Sequence, residues 1–240
     1  MTPPDHFDEE VALGYDAEHT DAGDLDQTVT ILAAMAAGGA ALEFAIGTGR
    51  VALPLKAAGT QVAGIELSEP MVAQLREKPG GSEIPVVIGD MASARVDGAF
   101  SLVFLVFNTI CNLTTQEQQI ACFQNAADHL ESDGRFVIET FVPPIHRLPS
   151  GANTLAFDIS PDHWGVDEYD IAAQTFTSHH LWVRGDTTVR RSIPFRYAWP
   201  AELDLMARLA GMELEERWED WSQTPFTSHS PRHVSVWRKS

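Results

Sequence analysis

The sequence predicts an α/β protein, with one doubly wound, mostly parallel seven-stranded sheet and a smaller antiparallel β region inserted after strand five. Three observations predict it. Between residues 40 and 140, short apolar runs alternate with segments of helical period, the alternation that builds a parallel sheet covered by helices. The first such run, Ala41 to Ile46, passes directly into Gly47-Thr48-Gly49 and then into Val51 and Leu55 at helical spacing. Beyond residue 150 the apolar period changes to two, the period of a half-buried antiparallel strand.

Residues 1 to 24 are polar with an aromatic pair, Phe7 and Tyr15, and read as an N-terminal arm or lid. Leu25 to Ala37 is a helix with Leu25, Val29, Leu32 and Ala36 on one face, stopped by Gly38-Gly39. The first strand and its glycine turn follow, and the next helix runs from Arg50 to Ala58, where Gly59 ends it. Thr60 to Glu66 is strand two. Ser68 then caps a helix with Pro70 in its first turn and Met71 and Leu75 stacked at i, i+4. Ile84 to Ile88 is strand three, leading into Gly89-Asp90-Met91.

Ala99 to Phe107 is the most apolar run and predicts the central fourth strand. Thr114-x-x-Glu117 reads as a capping box opening a helix with Ile120, Phe123, Ala127 and Leu130 inward. Ser132-Asp133-Gly134 turns into strand five, Arg135 to Thr140. Thr154 to Ile159 and Ala172 to Ala198 are the antiparallel insert, with a tight turn at Arg184-Gly185-Asp186. Trp199-Pro200 opens a helix with Leu205, Met206 and Leu209 inward, and Met212 to Trp218 and His233 to Arg238 are the last two strands. The expected organisation is a single domain. It has an arm (1–24), a ligand-binding core (25–144), an insert over the active site (145–198) and a C-terminal helix with a strand pair (199–240).

Composition narrows the function. A chain of 240 residues with 44% apolar and 21% charged residues can bury a full core. A net charge of −18 repels phosphate backbones and anionic membrane surfaces, which excludes nucleic acid and membrane as expected partners. Two cysteines, Cys111 and Cys122, fit neither a disulfide framework nor a metal spacing. Met1 to Glu10 is polar and acidic, and no run approaches the length of a membrane span, so no signal peptide and a cytoplasmic location are expected. His229 and His233 are four apart, but Pro231 lies between them and no helix should span them; no metal site is expected.

A strand, a glycine turn and a helix N-terminus make a nucleotide cradle, because glycine admits close backbone approach and the helix start presents unpaired N–H groups. Glu43 lies within the first strand. Glu66, at the end of the second, is where a carboxylate would hold a ribose diol. Read as Gly47-x-Gly49-x-x-Ala52, the cradle also matches a dinucleotide fingerprint, so an NAD(P)-dependent oxidoreductase is the alternative. Three features oppose it: the acid inside strand one, Asp90 beside Met91 at the exit of strand three, and no second domain for a dehydrogenase substrate. On the insert, adjacent His179 and His180 point to opposite faces, so one faces whatever the insert covers. With Glu139, leaving strand five, they are the candidate catalytic residues, and Trp182 is a candidate for the substrate wall. The exposed hairpin also leaves a homodimer open.

Glu43-Phe44-Ala45-Ile46-Gly47-Thr48-Gly49, Gly64-Ile65-Glu66-Leu67-Ser68, Gly89-Asp90-Met91 and Gly134-Arg135-Phe136-Val137-Ile138-Glu139 together resemble four successive motifs of class I S-adenosylmethionine-dependent methyltransferases. The insert and the arm around Tyr15 look most like the small-molecule enzymes, such as natural-product aminosugar N-methyltransferases and glycine N-methyltransferase. The resemblance implies S-adenosylmethionine as cofactor, a Rossmann-like fold, and methyl transfer to a nitrogen or oxygen of a small molecule, with a natural-product intermediate in view. It implies that Glu43 and the Ala45 to Gly49 backbone, beside Arg50, hold the methionine moiety, and that Glu66 takes both ribose hydroxyls. Leu67 and Met91, with Met71 nearby, would enclose the adenine; Asp90 would accept from its amino group. Tyr15 would close over the site, Phe107-Asn108-Thr109 would flank the methyl, and Asn108 and Asn112 would meet the substrate. The sequence departs from the family at Ala45, where a glycine is usual, and at Asn112, where the aminosugar enzymes carry a His. A protein of this fold that binds the cofactor without transferring methyl is the third reading.

Overall fold

The computed structural model describes residues 7–18 and 25–240. Its frame is a seven-stranded sheet of β1 (Ala40–Phe44), β2 (Gln61–Glu66), β3 (Val86–Ile88), β4 (Phe100–Leu105), β5 (Leu130–Phe141), β10 (Met212–Trp218) and β11 (Arg232–Lys239). The spatial order is β10-β11-β5-β4-β1-β2-β3, with β1 to β5 parallel and β11 antiparallel between β5 and β10. The order reverses between β1 and β4, so the chain leaves those strands in opposite directions and opens a crevice at their C-terminal ends.

Helices cover both faces: α2 (Leu25–Ala36) and α3 (Ala52–Ala57), then α4 (Glu69–Glu77), α5 (Gln116–His129) and α6 (Pro200–Leu209). The central strands carry buried apolar side chains on both sides, and each face has its own core cluster. Fully buried Trp237 packs edge-on against Phe123 at 5.3 Å, and its indole N–H donates to Asp204 Oδ1 at 2.9 Å. That pairing ties the C-terminal strand to α5 and α6.

Three local readings need correction. The capping box forms one residue later than expected: Thr115 Oγ1 accepts from Gln118 N–H and Gln118 Oε1 accepts from Thr115 N–H. Both Thr114 and Thr115 have an acceptor three residues on, and Thr115 is the one with extended backbone angles. Helix α6 turns Leu203, Met206 and Ala207 inward, leaving Leu205 and Leu209 exposed, 57% and 69%. Several apolar residues crowd that helix, and the phase chosen closes on the buried pair Met212 and Trp237.

The insert is a full four-stranded antiparallel sheet, in the order β6 (Thr154–Ile159), β7 (His163–Asp170), β8 (Thr175–Arg184) and β9 (Thr187–Arg196). The sequence hides β7 because Gly165 and several acids interrupt its apolar alternation. Phe157 lies where a side chain at residue 165 would stand, 2.2 Å from an ideal Cβ, which explains the glycine. The register of β8 and β9 is the expected one, with Phe176 opposite Phe195, His180 opposite Arg191 and Trp182 opposite Val189. Phe176, Tyr169 and Tyr197 pack with Phe141 and Ile145 to seat this sheet beyond β5.

The arm is described over residues 7–18 only; the rest of the expected 1–24 lid lies outside the described residues. Residues Glu9–Glu18 form α1, which packs on α4.

Candidate active site

The loops leaving β1, β2, β3 and β4 enclose a cleft at the C-terminal end of the sheet. Ala45 and Gly47 form one wall, Ile65, Glu66, Leu67 and Met71 the next, and Gly89, Asp90 and Met91 the far side. Thr109, Asn112, Leu113 and Thr114 close the β4 end, Phe7 and Tyr15 cover the cleft from the arm, and Pro194 reaches in from β9.

The cradle is made by backbone angles. Ala45 (φ 52), Gly47 (φ 57) and Gly49 (φ 79) are all left-handed, which turns the chain sharply out of β1. An Ala can hold such an angle at a cost of about 1–2 kcal/mol, so the departure at Ala45 leaves the turn intact. Gly49 is required for packing: an ideal Cβ there would stand 2.4 Å from Leu75 Cδ1. It sits behind the cleft wall, against α4.

Three carboxylates converge on the cradle. Glu66, 6% exposed, accepts from Gly47 N–H at 2.7 Å and from Ser68 N–H at 2.9 Å, so it fastens the glycine turn to the start of α4 while facing the cleft. Glu43 lies deeper, 4% exposed; it accepts from the Ala52 N–H, and its buried Oε2 has no hydrogen-bond partner. Burial raises the Glu43 carboxyl well above the usual carboxylate range, with Arg50 pulling the other way and Glu66 adding to the rise. Asp90 lies on the wall, its Oδ1 accepting from Ala92 N–H at 2.8 Å.

The arm is tied down at several points. Ser68 Oγ donates to the Phe7 carbonyl at 2.6 Å, Thr48 Oγ1 donates to Asp16 at 2.6 Å, and Lys78 pairs with Asp16. From the insert, Arg184 pairs with Glu10, and Arg191 with Asp8 and Glu10. Phe7 packs edge-on against Tyr15 at 6.2 Å, and burial raises the Tyr15 phenol above its ordinary range.

At the exit of β4, Arg50 lies over the Phe107 ring, 5.0 Å from its centroid. Glu139 Oε2 accepts from the Phe107 N–H at 3.2 Å, and Asn108 Oδ1 accepts from the Phe141 N–H at 2.8 Å. Glu43, Arg50, Phe107, Asn108 and Glu139 are not among the residues lining the cleft, and Asn108 and Glu139 brace the segment that leaves β4. His179, His180 and Trp182 stand elsewhere. His180 bonds His163 at 3.0 Å and Ser178 at 3.1 Å, with Trp182 nearly parallel beside it. Asp158 holds His163 at 2.6 Å. His179 bonds Ser192 at 2.8 Å on the opposite face. Among the described residues, Pro194 is the insert's contribution to the cleft.

Ile65, Leu113, Thr114 and Pro194 line the cleft without having been expected there, while Phe7 belongs to the expected lid, Gly89 to the Gly89-Asp90-Met91 exit and Thr109 to the segment expected beside the methyl. The segment after β4 was an available signal. Nothing local marks Pro194, whose place depends on how the insert docks.

The residues fit a cofactor that joins a nucleoside to a cation. Two wall carboxylates can take hydroxyl and amino hydrogens, Leu67, Met71 and Met91 offer an apolar slot, and the partnerless Glu43 oxygen leaves a hydrogen-bonding position open behind the cradle. Such a site on this sheet order is that of an α/β protein built to bind a nucleoside-containing cofactor. Residues 41–134 match the methyltransferase domain family. The CcbJ methyltransferase of Streptomyces caelestis superposes with a TM-score of 0.86 at 37% identity, covering 96% of each chain. The cypemycin N-terminal methyltransferase of a Streptomyces species is 28% identical over 200 residues, 81% of each chain. The fold is shared with S-adenosylmethionine-bound CalS10 of Micromonospora echinaspora, described as an amino pentose methyltransferase of calicheamicin biosynthesis. That match has a TM-score of 0.72 at 20% identity and covers 94% of this chain and 96% of that one. The chain belongs to the S-adenosylmethionine-dependent methyltransferases.

Proposed function

We propose that the chain methylates an amine nitrogen of a small natural-product intermediate. The observation that carries the reading is the Glu66 carboxylate, fixed by Gly47 and Ser68 N–H groups on the wall of a cleft whose far side bears Asp90. Amine acceptors are favoured by the names of the relatives, an N-terminal and an amino pentose methyltransferase.

Bound S-adenosylmethionine supplies a methyl already activated on a sulfonium sulfur. Glu66 would hold the ribose hydroxyls, Asp90 the adenine amino group and Glu43 the methionine end, with Ala45 and Gly47 lending backbone. The combined negative charge favours a cationic ligand over its neutral product. Leu67, Met71 and Met91 would hold the base. Phe7 and Tyr15 exclude water from above, and Thr109, Asn112 and Thr114 orient the acceptor in line. Of the described residues on the wall, Tyr15, Glu66 and Asp90 can ionise, and both acids are already committed to backbone N–H groups. The acceptor amine would therefore shed its proton to water before attack, and kcat/KM should rise with pH up to the amine's own pKa.

In this reading residues 145–198 shape the acceptor end through β9, the chain acts without nucleic acid, and it works in the cytoplasm. Sedimentation would show whether the insert also pairs two copies. The test of function is mass-spectrometric detection of a 14-dalton gain on a panel of primary and secondary amines, alongside calorimetry with S-adenosylhomocysteine and NAD. Tight NAD binding with none of S-adenosylhomocysteine would overturn it.

A further inference from the structure

Phe107 and Asn108 both have left-handed backbone angles, φ 60 and φ 62. Asparagine visits this region readily, but a bulky aromatic is an outlier there, and two in succession persist only where the surroundings over-determine them. The surroundings here converge on Glu139 of β5. Its Oε2 accepts from the Phe107 N–H at 3.2 Å, and its own carbonyl accepts from the Asn108 N–H at 3.1 Å. Asn108 returns the grip through Oδ1 to the Phe141 N–H, two residues further along the same strand.

Immediately downstream the chain becomes the β4 end of the cleft. Thr109 to Asn112 form a short 3₁₀ turn, and Asn108 is its N-terminal flank. Asn112 Nδ2 donates to the Thr109 carbonyl at 3.2 Å, which fixes that amide within the wall. The direction in which the wall leaves β4 is therefore set by the left-handed pair.

We propose that Glu139 is a positioning residue: it holds Phe107 and Asn108 left-handed and so fixes the Thr109–Thr114 wall against which the acceptor is aligned. The inference rests on the methyl-transfer reading only for what that wall contacts. It differs from a proton-accepting role, because Oε2 is engaged by a backbone N–H and the residue does not line the cleft. Without the carboxylate, Phe107 is free to return to an extended angle, and the wall moves with it. A Gln at 139 keeps an oxygen acceptor and should keep the geometry.

The experiment compares Glu139→Ala, Glu139→Gln and the double variant Glu139→Ala/Phe107→Gly, in which glycine holds the left-handed angle unaided. Hydrogen exchange over residues 107–114 is read by mass spectrometry, S-adenosylhomocysteine affinity by calorimetry, and acceptor KM and kcat with an accepted amine. Glu139→Ala should exchange faster in that segment and raise acceptor KM tenfold or more, with cofactor affinity within twofold of the parent. Glu139→Gln should retain parental exchange, KM and pH profile, and the double variant should recover the lost protection. Loss of turnover or of a pH-profile limb in Glu139→Gln would overturn the proposal, as would parental exchange and KM in Glu139→Ala. Should Glu139→Ala not fold, protection in the double variant carries the test, and its absence counts against the brace. The exchange arm needs no substrate, so failure to find an accepted amine would count against the function and not against Glu139.

Discussion

Glu66→Ala tests the cradle most directly, because the same carboxylate holds two backbone amides and faces the cleft. In the parent, Oε2 takes the Gly47 N–H at 2.7 Å and Oε1 the Ser68 N–H at 2.9 Å. Each is a hydrogen bond to a charged acceptor, worth about 1.5–3 kcal/mol where the donor is left without a partner. Water can enter from the cleft and soften the loss, so roughly two-thirds of the sum is expected, about 2–4 kcal/mol. For a chain of this size that is a fall of roughly 4–15 °C in the apo melting temperature. Cofactor affinity should fall separately by about 1.5–3 kcal/mol, roughly 10–150-fold, as the ribose loses its acceptor. Urea unfolding of the apo protein and titration calorimetry with S-adenosylhomocysteine read the two effects independently. An apo variant that melts with the parent would refute the role given to the two N–H bonds; unchanged affinity would refute the ribose site.

Ala45→Gly should raise the urea midpoint by about 0.5–1 kcal/mol of stability, since it relieves an Ala at φ 52 and costs only glycine's extra unfolded freedom; a lower midpoint counts against the strain. Because burial raises the Glu43 carboxyl above its ordinary 4.5, the folded state binds that proton more tightly than the unfolded state. The stability contribution is thus greatest below about pH 4.5 and is lost as pH rises through the folded value. Glu43→Gln should flatten that decline in apo melting scans while weakening S-adenosylhomocysteine binding; parallel slopes would show that Glu43 is not its source. Burial and Arg217 hold the His233 imidazole down at about 3, so it opposes folding increasingly as pH falls below about 6.5. Replacing it with Asn should lessen acid sensitivity between about pH 6 and pH 3, as followed by circular dichroism. Arg184→Ala/Arg191→Ala removes exposed pairs worth about 0.2–1 kcal/mol each. It should speed amide exchange in α1, and the parent should approach the variant in high salt.

The parallel core was legible because its signals are local. Glycines at 47 and 49, acids at strand exits and an apolar run at residues 99 to 107 each mark a strand end without reference to the rest of the chain. The cleft wall from Ala45 to Met91 followed from the same signals. The insert was legible in register and illegible in placement: period two tells which side chains share a face and is silent on what that face meets. His179 and His180 were thus correctly put on opposite faces, yet their partners proved to be Ser192, His163 and Ser178 in the insert itself. The partner of Glu139 was hidden for a similar reason. A carboxylate leaving a strand announces itself, but the left-handed Phe107 that occupies it shows only in the backbone angles.

Phe7 and Tyr15, which cover the cleft, stand on a segment fastened on one side to the core through Ser68, Thr48 and Lys78, and on the other to β8 and β9 through Arg184 and Arg191. Spent cofactor leaving past those rings must wait for the fastenings on at least one side to part. Release slower than methyl transfer is the expected consequence. A rapid-mixing experiment should show a first burst of product, about one equivalent per chain, before a slower steady rate. Added salt should quicken the slow phase alone, since screening loosens the exposed arginine pairs and leaves the buried alignment of the reactants untouched.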